Sequence, residues 1–214
     1  MVESSTHPHE QCADELHCVS KDLEVAIHTY GPWDVRVGSA FCTLGNIYTK
    51  MGMLPEALAM FEKDLQVTRH SVHDSDLRVA GAKYNVGMTS CKVGRHSQAL
   101  AYLEDALRTR VAALGPNHPE VADVLTCIGG VYSYTARHAE ALRKYEEATA
   151  IRRAALGPRD ATVALSLQNS ASARACMGQL DKVRALRVIT ALTRSPHWQH
   201  SCTRHSAPCF MHAP

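Results

Sequence analysis

The sequence predicts an all-α fold, a right-handed superhelical solenoid of repeated helical hairpins, on three observations. One phrase recurs at a constant interval: YGPWDVRV at 30–37, VHDSDLRV at 72–79, LGPNHPEV at 114–121 and LGPRDATV at 156–163. Between these phrases the apolar residues keep helical spacing. A residue that ends helices, usually glycine, divides the intervals into two. An internal repeat of two helices is typical of a solenoid, in which each unit packs on its neighbours.

The first full repeat predicts two helices. Its first helix runs through residues 38–52, and Gly52 ends it. One face of this helix carries apolar residues at i, i+3, i+7 and i+10: Phe41, Leu44, Tyr48 and Met51. The second helix begins at Leu54, tolerates Pro55 in its first turn and extends to about His70. Its expected buried stripe consists of Ala57, Leu58, Phe61 and Leu65.

The next repeats keep this plan in register. The matching residues include Val86, Gly87, Gly94, Ala99, Leu100 and Leu103, then Ile128, Gly129, Tyr132, Ala136, Ala141 and Tyr145. We expect Leu100 and Tyr132 to lie in the core, where truncation to alanine costs roughly 2–5 kcal/mol. The fourth repeat departs from the plan, as suits a terminal capping repeat, at Ser170, Ala171, Arg174 and Val183.

These matches divide the chain into predicted segments. Residues 1–10 form a flexible leader, and residues 11–193 form the repeat array. The array begins with a half repeat at 11–33, because KDLEVAIH at 21–28 matches KDLQVTRH at 63–70 in the next repeat. Four repeats follow, at about 34–75, 76–117, 118–159 and 160–193. Residues 194–214 are rich in His, Ser, Pro and Cys without periodicity, so we expect a disordered tail.

The recurring pattern resembles the tetratricopeptide repeat, whose first helix carries an aromatic residue, Leu, Gly and Tyr, and whose second carries Ala, an aromatic residue and Ala. The matching residues in the first full repeat are Phe41, Leu44, Gly45, Tyr48, Gly52, Ala57 and Phe61. Gly45 and Ala57 are small, so we expect the two helix backbones to cross closely there. Asp64 departs from the final alanine. The long period and the Gly-Pro connector resemble the long-repeat branch of the family, best known from kinesin light chains.

The resemblance implies a concave groove lined by the first helix of each repeat, in which a partner peptide lies. By repeat position the groove residues are Asn46, Lys50, Tyr84, Asn85, Met88, Lys92, Thr126, Tyr134, Gln168 and Asn169. The side-chain amides of Asn46 and Asn85 can grip an extended backbone, since an amide both donates and accepts hydrogen bonds. Lys50 and Lys92 favour an acidic ligand.

Two rival interpretations fit the sequence less well. A long coiled coil shares the period, which is a whole number of heptads, but the Gly-Pro connectors would break such a helix repeatedly. Co-chaperone members of the family clamp a carboxylate with two Asn and three cationic residues. Asn46 and Asn85 match that clamp, whereas its cationic positions hold Cys42, Asp123 and Cys127, which cannot pair with a carboxylate.

Composition argues against nucleic acid, membrane and enzyme functions. A net charge of +2, from 23 basic and 21 acidic residues, does not favour a polyanionic partner. No apolar run approaches the roughly 20 residues that span a bilayer. The sequence contains no phosphate loop, nucleophile elbow or H-E-x-x-H motif, so we expect no enzymatic activity and no cofactor.

Histidine and cysteine are abundant, at 13 and 8 residues, and cluster near both ends. Neither cluster has a zinc-site spacing, so we expect no metal site. The absence of a C-x-x-C pair predicts reduced thiols and a cytoplasmic location.

The sequence leaves three functional hypotheses. The first is a non-catalytic scaffold or adaptor, kinesin light chain-like, that binds a linear peptide of a partner protein in the groove; a kinesin-like or signalling assembly is implied by the resemblance only. The second is a structural or regulatory subunit that docks by its convex face or its ends in a larger assembly. The third is a truncated repeat fragment, which the half repeat at 11–33 favours.

Overall fold

The computed structural model describes residues 8–179, with side chains from residue 12 onward, and these residues form eight helices and no strand. The helices are α1 (Pro8–Tyr30), α2 (Val35–Lys50), α3 (Leu54–Ser71), α4 (Leu77–Lys92), α5 (His96–Leu114), α6 (Pro119–Tyr134), α7 (His138–Leu156) and α8 (Ala161–Cys176). The predicted all-α repeat fold is confirmed. Most of the predicted leader, the second helix of the fourth repeat and the predicted tail lie outside the described residues.

The first helix of each repeat begins at the same repeat position. The capping residues, one from each successive repeat, are Asp34, Asp76, His118 and Asp160. Each side chain accepts a hydrogen bond from the backbone N–H two positions further along the chain. This bond satisfies one of the donors that a helix N-terminus leaves unpaired, so the connector phrase fixes where each first helix starts.

The turn between the two helices of a repeat requires a left-handed backbone. Gly52, Gly94 and Gly178 have φ values of 77°, 91° and 75°. Ala136 occupies the same repeat position in the third repeat, with a φ of 58°. The third repeat therefore keeps the left-handed turn, although the Cβ of an alanine is sterically disfavoured in this conformation.

In the first three full repeats, a glycine on the first helix lies against a large side chain on the second helix. A Cβ added at Gly45 would lie 2.6 Å from the ring of Phe61, and one at Gly129 would lie 2.7 Å from the ring of Tyr145. The sequence predicts close backbones at this crossing. The structure shows that the glycine makes room for the side chain that fills the hairpin.

The described residues divide into two compact halves, with the division between Thr109 and Arg110 inside α5. In the N-terminal half α1 packs on α2, α2 on α3 and α3 on α4. Its core contains the whole predicted stripe and three residues of α4: Ala57, Leu58, Phe61, Leu65, Val79, Ala82 and Val86. Leu100, expected in the core, is only half-buried, so its truncation should cost less than the predicted range.

In the C-terminal half α6 packs on α7 and α7 on α8. Tyr145 is buried with Ala141 and Ala173, and Tyr132 packs against them from a half-buried position. Tyr132 thus contacts the core as expected, but because it is half-buried its truncation should also cost less than the predicted range. None of the described helices is both long and apolar enough to cross a membrane.

Candidate functional site

Two of the predicted groove residues converge on one cysteine in the N-terminal half. The Asn85 Nδ2 on α4 lies 3.5 Å from the Cys42 Sγ on α2, and the Asn46 Nδ2 lies 3.9 Å from the same sulfur. We call these three residues the Cys42 cluster. Cys42 and Asn46 share a face of α2 because they stand at i and i+4. The hairpin formed with α3 brings α4 alongside, so amides from successive first helices meet.

A buried carboxyl group lies beneath the Cys42 cluster. Asp64 on α3 is only 7 % exposed, and its Oδ1 accepts a hydrogen bond of 3.0 Å from the Thr68 hydroxyl. Burial raises the pKa of Asp64 to about 6, and the Thr68 and Cys42 hydrogen bonds oppose that rise. Burial also raises the pKa of the Cys42 thiol to about 11, and the nearby Asp64 charge adds to this. The thiol therefore stays protonated at neutral pH and is a poor nucleophile.

The remaining predicted groove residues of this half lie on the same two helices. Lys50 is exposed and pairs with Glu15 of α1, with 3.6 Å between its Nζ and the Glu15 Oε2. Both side chains are more than half exposed, so the pair contributes little and can open. Tyr84, Met88 and Lys92 on α4 are half-buried. We call the surface formed by Asn46, Lys50, Tyr84, Asn85, Met88 and Lys92 the α2–α4 face.

The charged residues of the two helices that form the α2–α4 face are all basic. α2 and α4 together contain five basic residues and no acidic residue, the basic ones being Arg36, Lys50, Arg78, Lys83 and Lys92. Arg36 and Arg78 bind the capping aspartates Asp34 and Asp76, and the Arg78 hydrogen bonds lower the pKa of Asp76 to about 2. Lys50 and Lys92, in contrast, occupy the same repeat position at the end of each helix.

The predicted groove residues of the C-terminal half are placed differently. Thr126 is 7 % exposed; its hydroxyl donates to the Ala122 carbonyl at 2.8 Å and accepts from the Arg152 Nη1 at 3.0 Å. The buried Arg152 guanidinium also donates to Asp123 and Ser166. Thr126 thus belongs to an internal network and offers little surface to a partner. Three residues remain nearer the solvent: Tyr134 and Gln168, which are exposed, and Asn169, which is half-buried.

Family models for the tetratricopeptide repeat match residues 37–72, 78–154 and 120–186. Together these ranges cover more than half of the chain. The chain belongs to the tetratricopeptide repeat family. Members of this family are protein-interaction scaffolds, and no curated protein matches the sequence itself.

Solved tetratricopeptide structures resemble the array in fold. The nearly identical TPR-like repeats of a kinesin light chain candidate from Podosopora anserina give a TM-score of 0.75 at 15 % identity, over 86 % of this chain and 87 % of that chain. BtubC (BKLC) from P. vanneervenii gives 0.70 at 20 % identity, over 96 % and 87 %. MamA from Desulfovibrio magneticus RS-1 gives 0.56 at 15 % identity, over 88 % and 98 %. The predicted kinesin light chain-like repeat type is confirmed at the level of fold.

The carboxylate clamp of co-chaperone tetratricopeptide arrays finds no support in the geometry. Its third repeat would need a cation where this array has Asp123, whose Oδ1 lies 2.6 Å from the Arg152 Nη2. Cys42 and Cys127 hold the other two cationic positions, and a thiol carries no positive charge. Within residues 12–179, no three His, Cys, Asp or Glu side chains are grouped as metal ligands. The predicted His- and Cys-containing tail lies beyond the described part of the chain.

Asp64 is the residue of this site that sequence reasoning did not place. The sequence shows that Asp64 replaces the family alanine, but whether its carboxyl is buried and which groups contact it depend on the assembled structure. Gly38, which lies opposite Asp64, is the second sequence signal for this buried carboxyl group. The equivalent positions of the next two repeats hold alanines, Ala80 and Ala122.

Proposed function

We propose that this tetratricopeptide array is a non-catalytic adaptor that binds an extended peptide of a partner protein on the α2–α4 face. The convergence of Asn46 and Asn85 on Cys42 carries the proposal, because it places two amides from successive first helices side by side. The cytoplasm is the compartment we expect.

The two amides have unused hydrogen-bonding capacity. Each carries two N–H donors and one carbonyl acceptor, and the contact with sulfur uses one donor. The sulfur contacts, at 3.5 and 3.9 Å, orient the two amides and leave their other groups available. A peptide can therefore donate an N–H to each Oδ1 and accept from the second N–H of each Nδ2. Because both Nδ2 atoms contact one sulfur, they lie no more than about 7 Å apart, and an extended chain rises about 3.3 Å per residue, so the amides suit peptide groups about two residues apart.

Charge favours an acidic peptide. Arg36, Arg78 and Lys83 are paired with aspartates, so Lys50 and Lys92 are the cations by which this face can draw negatively charged segments toward it. Lys50 and Lys92 stand at matching positions on the two helices, so they can contact carboxylates spaced along one extended segment. The likeness in fold to kinesin light chain repeats makes attachment of a cargo protein the specific form of adaptor function that we favour.

A second candidate function is docking by α1 within a larger assembly. Val25 on α1 is 63 % exposed, whereas Val67, its equivalent on α3, is 5 % exposed. Val25 therefore presents apolar surface on the side of α1 that a preceding first helix would cover. Substituting Val25 would abolish partner capture under this alternative and leave peptide binding to α2 and α4 intact.

The test is selection of linear peptides on the immobilised full chain from a displayed random library. The variant N46A/N85A/K92A removes two amides and one cation from the α2–α4 face. The matched control Q66A/Q98A/R69A removes two amides and one cation from the second helices α3 and α5. Gln66 and Arg69 are exposed, so the control should leave the fold unchanged.

Selected peptides should be rich in Asp and Glu and should bind the native chain and the control variant equally. Loss of the three face residues should weaken binding by about tenfold or more, since hydrogen bonds and charge contacts each contribute about 0.5–1.5 kcal/mol. Equal binding to the N46A/N85A/K92A variant would reject the α2–α4 face as the binding site.

A further inference from the structure

One pair of facing positions differs between the repeats of this array. In the first repeat, Gly38 of α2 faces Asp64 of α3. In the two later repeats the same two positions hold alanines, all fully buried: Ala80 and Ala106, then Ala122 and Ala148. The first repeat therefore replaces two small apolar residues with a carboxylic acid and a glycine.

The glycine makes the space that the carboxyl group needs. A Cβ added at Gly38 would lie 3.1 Å from the Asp64 Oδ1 and 3.2 Å from the Thr68 Oγ1. Both distances are tighter than ordinary contact, so an alanine here would press on the carboxylate and on its hydrogen-bond donor. The larger residue on α3 is thus matched by a smaller one on α2, which preserves packing in this repeat.

No cation in the described part of the chain pairs with this buried carboxyl group. The groups that act on it are the Cys42 thiol from α2 and the Thr68 hydroxyl from its own helix. Lys83 of α4 is engaged elsewhere, with its Nζ 2.6 Å from the Asp105 Oδ2 and 3.5 Å from the Asp74 Oδ1. Lys63 of α3 lies over the ring of Phe41, 5.3 Å from its centroid. Burial therefore outweighs the Thr68 and Cys42 hydrogen bonds and raises the pKa of Asp64 to about 6.

The same cysteine connects this carboxyl group to the two amides. The thiol is protonated at neutral pH, so its hydrogen can be donated to the ionised Asp64 while its lone pairs accept from Asn46 and Asn85. When Asp64 takes up a proton, the carboxyl loses its charge, gains a donor and attracts the thiol hydrogen less strongly. The thiol is then held less firmly in one orientation, and the amides lose a fixed acceptor.

We propose that Asp64 is a positioning residue for Asn46 and Asn85: its ionised carboxylate holds the Cys42 thiol in the orientation that anchors both amides, and protonation in mildly acidic solution releases them. Because this consequence rests on the proposed peptide binding, peptide affinity should fall by about three- to tenfold between pH 7.5 and pH 5.5, the effect of losing one or two weak hydrogen bonds.

The direct test needs no peptide. In the ¹H–¹⁵N spectrum of the full chain, the side-chain amide signals of Asn46 and Asn85 should move together between pH 7.5 and pH 5, with a midpoint near 6. The double variant G38A/D64A restores the alanine pair of the later repeats, so it should fold and should lose this titration. The near-isosteric variant D64N should hold both signals near their low-pH positions at every pH. Amide signals that stay still in the native chain, or that titrate equally in the double variant, would overturn the positioning role.

Peptide binding supplies the second readout. A selected acidic peptide should bind G38A/D64A with an affinity that no longer changes across this pH range. If the amides titrate but native affinity is constant with pH, the regulatory consequence is wrong and the positioning role stands. If no peptide binds the α2–α4 face, the proposed function fails, and the amide titration still decides the role of Asp64.

Discussion

The Nζ of Lys83 on α4 lies 2.6 Å from the Oδ2 of Asp105 on α5, and the lysine side chain is only 5 % exposed. These residues are the repeat equivalents of Phe41 and Lys63, which make a cation–π contact. One contact of the helical hairpin is therefore aromatic–cation in the first repeat and an ion pair in the second. The hydrogen bond from Lys83 is the main reason that the pKa of Asp105 lies below its usual value.

Substitutions of the two partners of this ion pair should have unequal effects on the free energy of unfolding. D105A leaves the Lys83 ammonium buried with only Asp74 nearby, so it should lower the free energy of unfolding by roughly 1–3 kcal/mol. K83M replaces a buried charge with an apolar chain of similar length and should change stability by less than about 1 kcal/mol. Urea unfolding measures both, with R108A as a control for the exposed partner of Asp105. Equal losses for D105A and K83M would contradict the buried-pair interpretation.

Ala136 predicts a stabilising substitution. Its φ of 58° is the left-handed conformation that glycine adopts at the equivalent turns. A136G should raise the free energy of unfolding by about 1 kcal/mol, because the steric penalty on an alanine Cβ disappears. The reverse change at the equivalent turn, G94A, should lower it by a similar amount. Thermal or urea unfolding of the pair decides the matter, and a destabilised A136G would show that the turn is not left-handed in solution.

Two glycines on α4 predict opposite responses to alanine. A Cβ at Gly87 would lie 2.8 Å from the Leu103 Cγ and 3.2 Å from the Ala99 carbonyl oxygen, whereas a Cβ at Gly81 meets nothing within 4 Å. G87A should therefore destabilise the array by roughly 1–3 kcal/mol through overpacking. G81A should stabilise it by about 0.5–1 kcal/mol, since alanine favours the helix more than glycine does. Similar effects at both sites would mean that the predicted hairpin crossing is misplaced.

Most of the fold could be predicted because the residues that begin and end its helices lie next to those helix ends in the sequence. Asp34, Asp76 and Asp160 cap helices at matching repeat positions, and the turn glycines follow at another fixed position. Each signal lies close in sequence to the helix end it controls. The approach of Asn46 to Asn85 could also be predicted, since it requires only the repeat register and the side-by-side packing of first helices.

The parts that could not be predicted depend on distant side chains. Thr126 shares the register of a groove residue, yet it is held inside by Arg152, which lies on the next helix. No periodicity specifies where that arginine points. The environment of the Asp64 carboxyl similarly depends on Gly38 and Cys42, which lie on another helix. Only the assembled hairpin shows that the three residues are neighbours.

Burial of Asp64 predicts a pH dependence of stability. Its pKa rises from 3.8 to about 6 on folding, so the folded state binds the proton more tightly than the unfolded state between these values. The contribution of Asp64 to the unfolding free energy therefore falls as pH rises from 4 to 6, and its full penalty remains above pH 6. G38A/D64A lacks this penalty.

Between pH 4 and pH 7.5 the stability of this double variant relative to the native chain should rise by roughly 2–3 kcal/mol. The advantage should shrink toward pH 4, where Asp64 is protonated in the folded native chain. Urea unfolding of both proteins at pH 4, 5, 6 and 7.5 measures the difference. A stability difference that does not change with pH would contradict the inference that burial raises the pKa of Asp64.

The proposed function places a partner peptide on the first helices of the N-terminal half. Its most direct measurement is the ¹H–¹⁵N spectrum of the full chain during titration with an acidic peptide from the library selection. This placement predicts that the side-chain amide signals of Asn46 and Asn85 shift with the same saturation curve, while those of Gln66 and Gln98 on the second helices stay fixed. Shifts at Gln66 and Gln98 with Asn46 and Asn85 unmoved would place the peptide on the other face and contradict the proposed function.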